Sequence, residues 1–270
     1  GTRAEFILAN PNGISCIGCG CSIMSRATVT SGTPTLTGGA LTSIDVDGGD
    51  VLVEGLGLDA TETGFFEILS RTADIQANMH GETLAITTGR NVMDYATGTV
   101  TAKAAAGGAP AVAIDSSALG GMYADRIRLT ATEAGVGVNM QGDMATSAAA
   151  LEITADGRID FRKAASVTDI VVESVSSDVV VGDDVYAERK LELKAGNEVT
   201  IAAPAPGETI TAAAGETVKL SGPRVTVTEA SVVAGVDRQG SPNGKAARVE
   251  VEATDRLTNN RGLIASGDDI

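Results

Sequence analysis

The sequence predicts an all-β protein whose strands form a right-handed parallel β-helix, a solenoid of about ten to twelve coils. Short segments alternate apolar and polar residues, and helical periodicity is nearly absent. Aromatic residues make up only 3% of a chain that is 43% hydrophobic, and tryptophan is absent. The core must therefore be built from small aliphatic side chains, which suit a narrow, repetitive interior.

Six later segments carry the clearest evidence for stacked coils, because each holds two apolar residues two positions apart. The first residues of these pairs step along the chain by 24, 19, 21, 27 and 31 residues. Steps of about 20 to 30 residues are typical of β-helix coils, whereas a sandwich shows strands about every 8 to 12 residues, joined by hairpins. An antiparallel sandwich is the main alternative fold. The pairs are Ile127/Leu129, Leu151/Ile153, Ile170/Val172, Leu191/Leu193, Val218/Leu220 and Val249/Val251.

The earlier part of the chain holds shorter strand signals. Residues 6–8 form an apolar run, and residues 44–54 alternate in two pieces around Gly48 and Gly49. Residues 73–77 and 83–87 read as further strands. Loop segments at 104–110, 202–214 and 235–245 interrupt the coils, but none is long enough to be a clear interdomain linker. We therefore expect one continuous solenoid.

The net charge of −15 and a pI near 4.4 exclude several partners. Binding to nucleic acid or to an anionic membrane needs a basic surface, so we expect neither. No run approaches 18 apolar residues, and no signal-peptide pattern is present at the start. The N-terminus is expected to lie within a longer protein.

The most informative stretch begins with a turn at Asn10, Pro11, Asn12 and Gly13. Asn at the first position can accept a hydrogen bond from the backbone two residues on, Pro presets φ at the second, and Asn and Gly tolerate positive φ. Spacing alone is equally consistent with a plain turn between two strands.

All three cysteines follow within nine residues of that turn, as Cys16, Cys19 and Cys21. A zinc site needs a fourth ligand, which only His80 could supply by folding back. A thioredoxin-type motif needs a following helix, and no helical pattern follows. The pattern favours one local disulfide between Cys16 and Cys19, with Cys21 as a packed or free thiol.

Other chemistry is sparse. Asp45 and Asp47 are expected to share a strand face, where they could bind a cation, act as a carboxylate pair on a sugar or form a solvated acidic edge. The single histidine, His80, is expected at a surface turn, although Asp74 is near enough in sequence to make it a candidate base. We predict no catalytic residue, no metal site and no cofactor.

A family resemblance appears in RAEFILANPNGISCIGCG (residues 3–20) and SRATVTSGTP (residues 25–34). These segments resemble the secretion domain of filamentous-haemagglutinin-type exoproteins, which include the toxin-delivery proteins of contact-dependent growth inhibition. The resemblance continues in TGRNVMD (88–94), AVAIDSSALGGMYADRIRL (111–129) and TEAGVGVNMQG (132–142). It returns in DRLTNNRGLIASGDDI (255–270), which is similar to the start of the haemagglutinin repeats.

The resemblance implies a two-partner secretion system of Gram-negative bacteria. Its exoprotein crosses the outer membrane unfolded, through a dedicated β-barrel transporter, and folds outside into a long β-helix. Residues 10–13 match a motif of the secretion domain, and Cys16 and Cys19 match its cysteine-bearing form. Where the family commonly has Asn and Phe, this chain has Ile17 and Cys21.

We therefore expect residues 1–142 to be the C-terminal part of a two-partner-secretion domain and residues 143–270 to continue the β-helix. The expected function is a non-enzymatic, surface-exposed stalk for adhesion or contact-dependent toxin delivery. Its expected partners are the outer-membrane transporter and a receptor on a target cell. Two other functions stay open: a β-helical enzyme acting on polysaccharides, and a cation-stabilised binding module.

Overall fold

The computed structural model describes residues 3–104 and 108–267, and these residues form a parallel β-helix with three faces. Residues 105–107 of the predicted 104–110 loop and residues 268–270 of the last motif lie outside the described residues. In the described part the strands are β1 Ala4–Ala9, β2 Ile14–Thr30, β3 Thr33–Thr37, β4 Ala40–Val46, β5 Asp50–Ser70, β6 Thr72–Ile75, β7 Met79–Thr88, β8 Asn91–Asp94, β9 Val100–Ala102, β10 Val112–Ser116, β11 Met122–Ala131, β12 Gly137–Met140 and β13 Met144–Thr146.

The second half of the chain contributes shorter, more regular strands. These are β14 Leu151–Ala155, β15 Ile159–Phe161, β16 Ala164–Ser166, β17 Asp169–Ser174, β18 Val179–Val181, β19 Val185–Ala187, β20 Lys190–Ala195, β21 Glu198–Ala202, β22 Ile210–Ala214, β23 Thr217–Thr228, β24 Ala230–Ala234, β25 Arg248–Asn260 and β26 Leu263–Ser266.

Each coil crosses three faces in turn, and each face is a stack of parallel strand segments. Face 1 runs from β1 through residues 24–30, 66–70 and 84–88, and on through β14, β17 and β20 to the start of β25. Face 2 begins with residues 14–17 and includes β6, β10, β12, β15, β18 and β21. Face 3 begins with residues 19–20 and includes β13, β16, β19, β22, β24 and β26.

The described residues build ten such coils, which agrees with the predicted number. The six predicted apolar pairs stack on face 1 in direct register, each residue pairing with its counterpart in the next coil. Ile153, for example, lies between Leu129 and Val172, and all three are fully buried. The prediction of a parallel β-helix is confirmed.

The same column continues upstream, where its regular spacing is hidden by insertions. Leu84/Ile86, Phe66/Ile68, Ala27/Val29 and Phe6/Leu8 occupy the same positions in the first four coils. The core they extend is almost entirely aliphatic, as the composition predicts; Phe161 is the largest fully buried side chain.

A second, antiparallel sheet lies outside the solenoid and is absent from the sequence-based prediction. Strands β3, β4, β8 and β9 form it, in that order. Ile44, Val46 and Met93 from this sheet pack on Leu69, whose side chain points outward from face 1 yet is only 1% exposed. The sheet is formed by two insertions, residues 33–46 and 91–102, which explains the irregular spacing of the early coils.

Among the described residues, no helix is long and apolar enough to cross a membrane.

Candidate functional site

The turn at residues 10–13 joins face 1 to face 2 at the corner of the first coil. The Gly13 amide donates to the Asn10 carbonyl oxygen (3.0 Å), and the Asn12 amide donates to Asn10 Oδ1 (3.2 Å). Pro11 occupies the second position of the turn, where its fixed φ is favourable. The Asn10 amide donates to the carbonyl oxygen of Thr30 in the next coil (2.9 Å), which anchors the turn to the solenoid.

This turn packs directly on the corresponding turn of the second coil. Gly13 has φ +108°, and a Cβ placed there would lie 2.9 Å from the Asp50 carbonyl oxygen. In return, a Cβ at Gly49 would lie 2.7 Å from the Pro11 carbonyl oxygen. The Gly49 carbonyl oxygen also accepts from the Arg71 amide of the third coil (3.2 Å). Two glycines therefore allow the first three corner turns to stack in contact.

The three cysteines line the first coil just beyond the turn. Cys16 pairs with Val53 on face 2 and Cys19 with Leu58 on face 3, so both side chains point into the core. Their Sγ atoms are 2.15 Å apart, and the structure joins them as a disulfide.

Cys21 remains a free thiol in the structure and is half-buried. Burial raises the pKa of its thiol above the ordinary value, so the reactive thiolate is disfavoured. With Cys16, Cys19, Phe6 and Leu8, it lines an apolar groove of about 170 Å³ at the first coil.

Asp45 lies on β4 and Asp47 directly follows that strand, so the predicted shared strand face is not formed, but both carboxylates contact the same two-cation cluster. Lys103 Nζ contacts Oδ1 of both carboxylates, and Arg90 Nη2 lies 2.5 Å from Asp47 Oδ1. The hydrogen bonds from Lys103 and Arg90 lower the pKa of Asp47. These contacts join β4 to the segment that follows β9. The acidic edge at Asp45 and Asp47, for which solvation was one expectation, is therefore ion-paired.

His80 is exposed on strand β7, not in the predicted surface turn. Its ring stacks on Tyr123 of the next coil, with centroids 5.2 Å apart and planes inclined by 17°. Asp74 lies on face 2 while His80 lies on face 3, so the candidate acid–base pair is not assembled. Asp74 Oδ2 instead accepts from Gln76 Nε2 (2.6 Å). Within the described ranges, no cluster of three or more His, Cys, Asp or Glu residues has metal-binding geometry.

Two motifs noted in the sequence, TGRNVMD and TEAGVGVNMQG, meet in a buried polar network. Glu133 is 1% exposed and its Oε1 lies 3.2 Å from Arg71 Nη2. Asn91 is fully buried and donates to the Gly89 carbonyl oxygen (2.9 Å). A Cβ at Gly89 would lie 2.6 Å from Thr132 Oγ1. The motifs therefore fix the corners of the third, fourth and fifth coils, next to the start of β8.

A second contact that sequence reasoning missed is centred on Arg26, which points outward from face 1. Its Nε and Nη2 donate to Glu67 Oε1 (2.9 and 2.5 Å), and its guanidinium stacks on Tyr95 just after β8. Thr28 Oγ1 donates to the same carboxylate oxygen (2.6 Å). Period-two alternation alone predicts an exposed Arg–Glu pair here, because the covering sheet comes from distant sequence.

Comparison with known proteins connects these features to a family. The family model for the TPS secretion domain matches residues 1–161. "Toxin CdiA" of Yersinia pestis is 43% identical over 160 residues, which is 59% of this chain and 5% of that protein. "tRNA nuclease CdiA" of Yersinia mollaretii is 33% identical over 243 residues, which is 89% of this chain and 8% of that protein. This chain thus spans less than a tenth of either relative.

The fold also matches a solved structure. The crystal structure of the filamentous hemagglutinin secretion domain aligns with a TM-score of 0.51 and 24% sequence identity, covering 98% of this chain and 67% of that one. At this identity the likeness concerns the fold, and it agrees with the β-helix described above.

Proposed function

The chain belongs to the TPS secretion domain family, and on that premise we propose that it is a non-enzymatic segment of a large exoprotein exported by two-partner secretion. The exported protein folds on the outer surface of a Gram-negative bacterium, where this segment is the base of a β-helical stalk. The observation that carries the proposal is the family match over residues 1–161, which includes the turn at 10–13 and the coils stacked on it.

Two-partner secretion requires an outer-membrane β-barrel transporter, which is the principal partner of this chain. The coil architecture suits passage through a pore. Each coil contacts only its neighbours, so coils can form one after another as the chain emerges. Folding outside then opposes backsliding. The single candidate disulfide joins residues only three apart, and so it closes no large loop that would obstruct threading.

The turn at Asn10, Pro11, Asn12 and Gly13 is the secretion motif in this proposal. Its contacts support a role in stacking the coils, because the Asn10 amide and the two close-packed glycines join this coil to the next one. Each coil that has formed is a template on which the following coil adds its strands. A defect in this turn would therefore delay the folding that holds the chain outside.

We divide the chain into the C-terminal part of the secretion domain, residues 1–142, and continuing β-helix repeats, residues 143–270. The family match extends to residue 161. Strand pairing passes across residue 142, since Met122 pairs with Met144 and Val138 with Ile159. The two parts therefore differ in the sequence family that they resemble, but they belong to one continuous β-helix.

The stalk would serve adhesion or contact-dependent toxin delivery, with a receptor on a target cell as the second partner. The names of the two relatives, a toxin and a tRNA nuclease, favour toxin delivery, and any such activity would reside in other parts of those much longer proteins. The charge of −15 argues against nucleic acid as a partner of this segment. An enzymatic role is not favoured, because the candidate carboxylates and His80 do not converge.

Export can be tested in the natural full-length exoprotein, in cells with and without its outer-membrane transporter. Protease added outside intact cells should digest the exoprotein only when the transporter is present. Export of equal amounts without the transporter would contradict the proposal. Small-angle scattering of the purified chain should show an elongated rod, and a compact profile would contradict the stalk.

A further inference from the structure

A groove of about 390 Å³ lies on the outer surface of face 3, in the second half of the rod. Its floor is formed by Ala165 and Ala213, and the ring of Tyr186 lies beside them. The segment 237–240 forms one wall, because the loop between β24 and β25 folds back over face 3. Val236 packs on Ala213 and Val233, and the Tyr186 hydroxyl lies 3.3 Å from its carbonyl oxygen and 3.0 Å from Glu188 Oε2.

Two cations line this groove beside Asp184 and Asp237, and among the described residues neither cation makes an ion pair within 4.0 Å. Of the twenty Lys and Arg residues, all of which lie in the described ranges, fifteen make an ion pair within 4.0 Å. Lys163 and Arg238 belong to the remaining five, and both are exposed along the same groove. In a chain of charge −15, where cations are usually paired, two unpaired cations in one groove indicate an anionic ligand group.

The acids of the groove are already engaged with the backbone. Asp184 Oδ1 accepts from the Thr211 amide (2.8 Å). Asp237 Oδ1 accepts from the amides of Gln239 and Ser241, both at 2.9 Å. These bonds hold the Asp184 carboxylate against strand β22 and the Asp237 carboxylate within its own loop. The Lys163 ammonium and the Arg238 guanidinium have no such bonds and are available to a ligand.

The ligand has to be held by side chains, because face 3 offers no free strand edge here. β16 pairs with β13 and β19, and β19 pairs with β22, so every strand under the groove is bonded on both sides. A peptide could not add as a further strand. The floor is shallow and alanine-lined, and so lacks the deep apolar pockets that anchor peptide side chains. The Tyr186 ring can pack on the flat face of a sugar. The hydrogen-bond donors and acceptors that line the groove beside it can bind the sugar hydroxyls.

We propose that this groove binds an acidic saccharide, whose sugar ring packs on Tyr186 and whose carboxylate is held by Lys163 and Arg238. The inference goes beyond export, because the groove belongs to the folded coils and does not depend on how they reach the surface. It would give the stalk a direct adhesive contact with an acidic glycan.

Titration calorimetry with tetragalacturonate tests the proposal, with neutral galactotetraose and tetraglutamate as comparison ligands. Lys163→Ala/Arg238→Ala should weaken tetragalacturonate binding about tenfold or more, because two charge-assisted hydrogen bonds are lost. Arg126→Ala/Arg256→Ala is the matched control: it removes two other unpaired cations, which lie outside the groove, and should leave the affinity unchanged. Tyr186→Phe should retain binding, and Tyr186→Ala should weaken it.

Three results would overturn the proposal. One is no binding of tetragalacturonate to the wild-type chain. Another is equal weakening in both double variants, which would show only general attraction of anions. The third is tetraglutamate binding as tightly as tetragalacturonate, which would assign the groove to acidic peptides.

Discussion

The guanidinium carbon of Arg26 lies 4.2 Å from the centroid of the Tyr95 ring. Arg26 belongs to face 1 of the second coil, and Tyr95 follows β8 of the antiparallel sheet. The Tyr95 hydroxyl donates to Glu5 Oε2 in the first coil (2.9 Å), and Arg26 is paired with Glu67 in the third coil. One cation–aromatic contact thus joins the outer sheet to the first three coils of the rod.

Tyr95 should make stability depend on pH above about 10. Burial, and then the hydrogen bond to Glu5, raises the pKa of Tyr95 to about 12. The folded chain therefore keeps a proton that the unfolded chain loses, so this contribution is complete below pH 10 and declines as pH rises towards 12. The urea midpoint of the wild-type chain should fall as the pH rises across this range, and the midpoint of Tyr95→Phe should fall less steeply. Identical slopes for the two proteins would contradict the assignment.

Gly13→Ala should destabilise the chain by about 1–3 kcal/mol, because alanine is strained at positive φ and its Cβ would meet the Asp50 carbonyl oxygen. Gly48→Ala is the control, since a Cβ at Gly48 meets nothing within 4 Å and its φ is not positive. Urea denaturation should show a lower midpoint for the first variant alone. Equal midpoints would mean that the stacked turns tolerate a side chain.

Val172 and Val171 are adjacent but point to opposite sides of face 1. Val172 is fully buried, whereas Val171 is partly exposed. Val172→Ala should cost about 2 kcal/mol through lost burial and the cavity it leaves. Val171→Ala should cost less than about 1 kcal/mol. Thermal unfolding of both variants tests the inward register, and a larger loss for Val171→Ala would refute it.

The cysteine pairing predicts a simple thiol count. Without reductant, the denatured chain should show one reactive thiol, from Cys21, and after reduction it should show three. In the folded chain Cys21 should react slowly, because burial raises its pKa. Three reactive thiols in the unreduced chain would disprove a disulfide between Cys16 and Cys19.

The later coils could be predicted in detail because the pattern that specifies them lies within short segments of sequence. Pairs such as Leu151/Ile153 alternate with polar residues and recur at near-constant spacing, so period and register follow from sequence alone. The first four coils cannot be predicted from local alternation and spacing. Two insertions build a separate sheet there, and buried outward residues such as Leu69 break the simple pattern of apolar-in and polar-out.

The candidate site was predictable in its components but not in its partners. The turn signal at residues 10–13 is local, whereas its contact with Gly49 depends on a residue 36 positions beyond Gly13. The neutralisation of Asp45 and Asp47 depends on Arg90 and Lys103, which lie more than 40 residues away. Charge spacing within one strand gives no sign of such long-range pairing.

Export of the full-length exoprotein with an altered turn tests the central claim most directly. Asn10→Ala removes the Oδ1 that accepts from the Asn12 amide. Asn243→Ala is the control: Asn243 Oδ1 accepts from the Lys245 amide in the same i to i+2 arrangement and its Nδ2 donates to the Gly215 carbonyl oxygen, so this variant loses more hydrogen bonds, far from the first coil. In cells with the transporter, Asn10→Ala should lower the surface-exposed amount several-fold, while Asn243→Ala should match wild type. Equal export of both variants would contradict the account of residues 10–13 as the secretion motif.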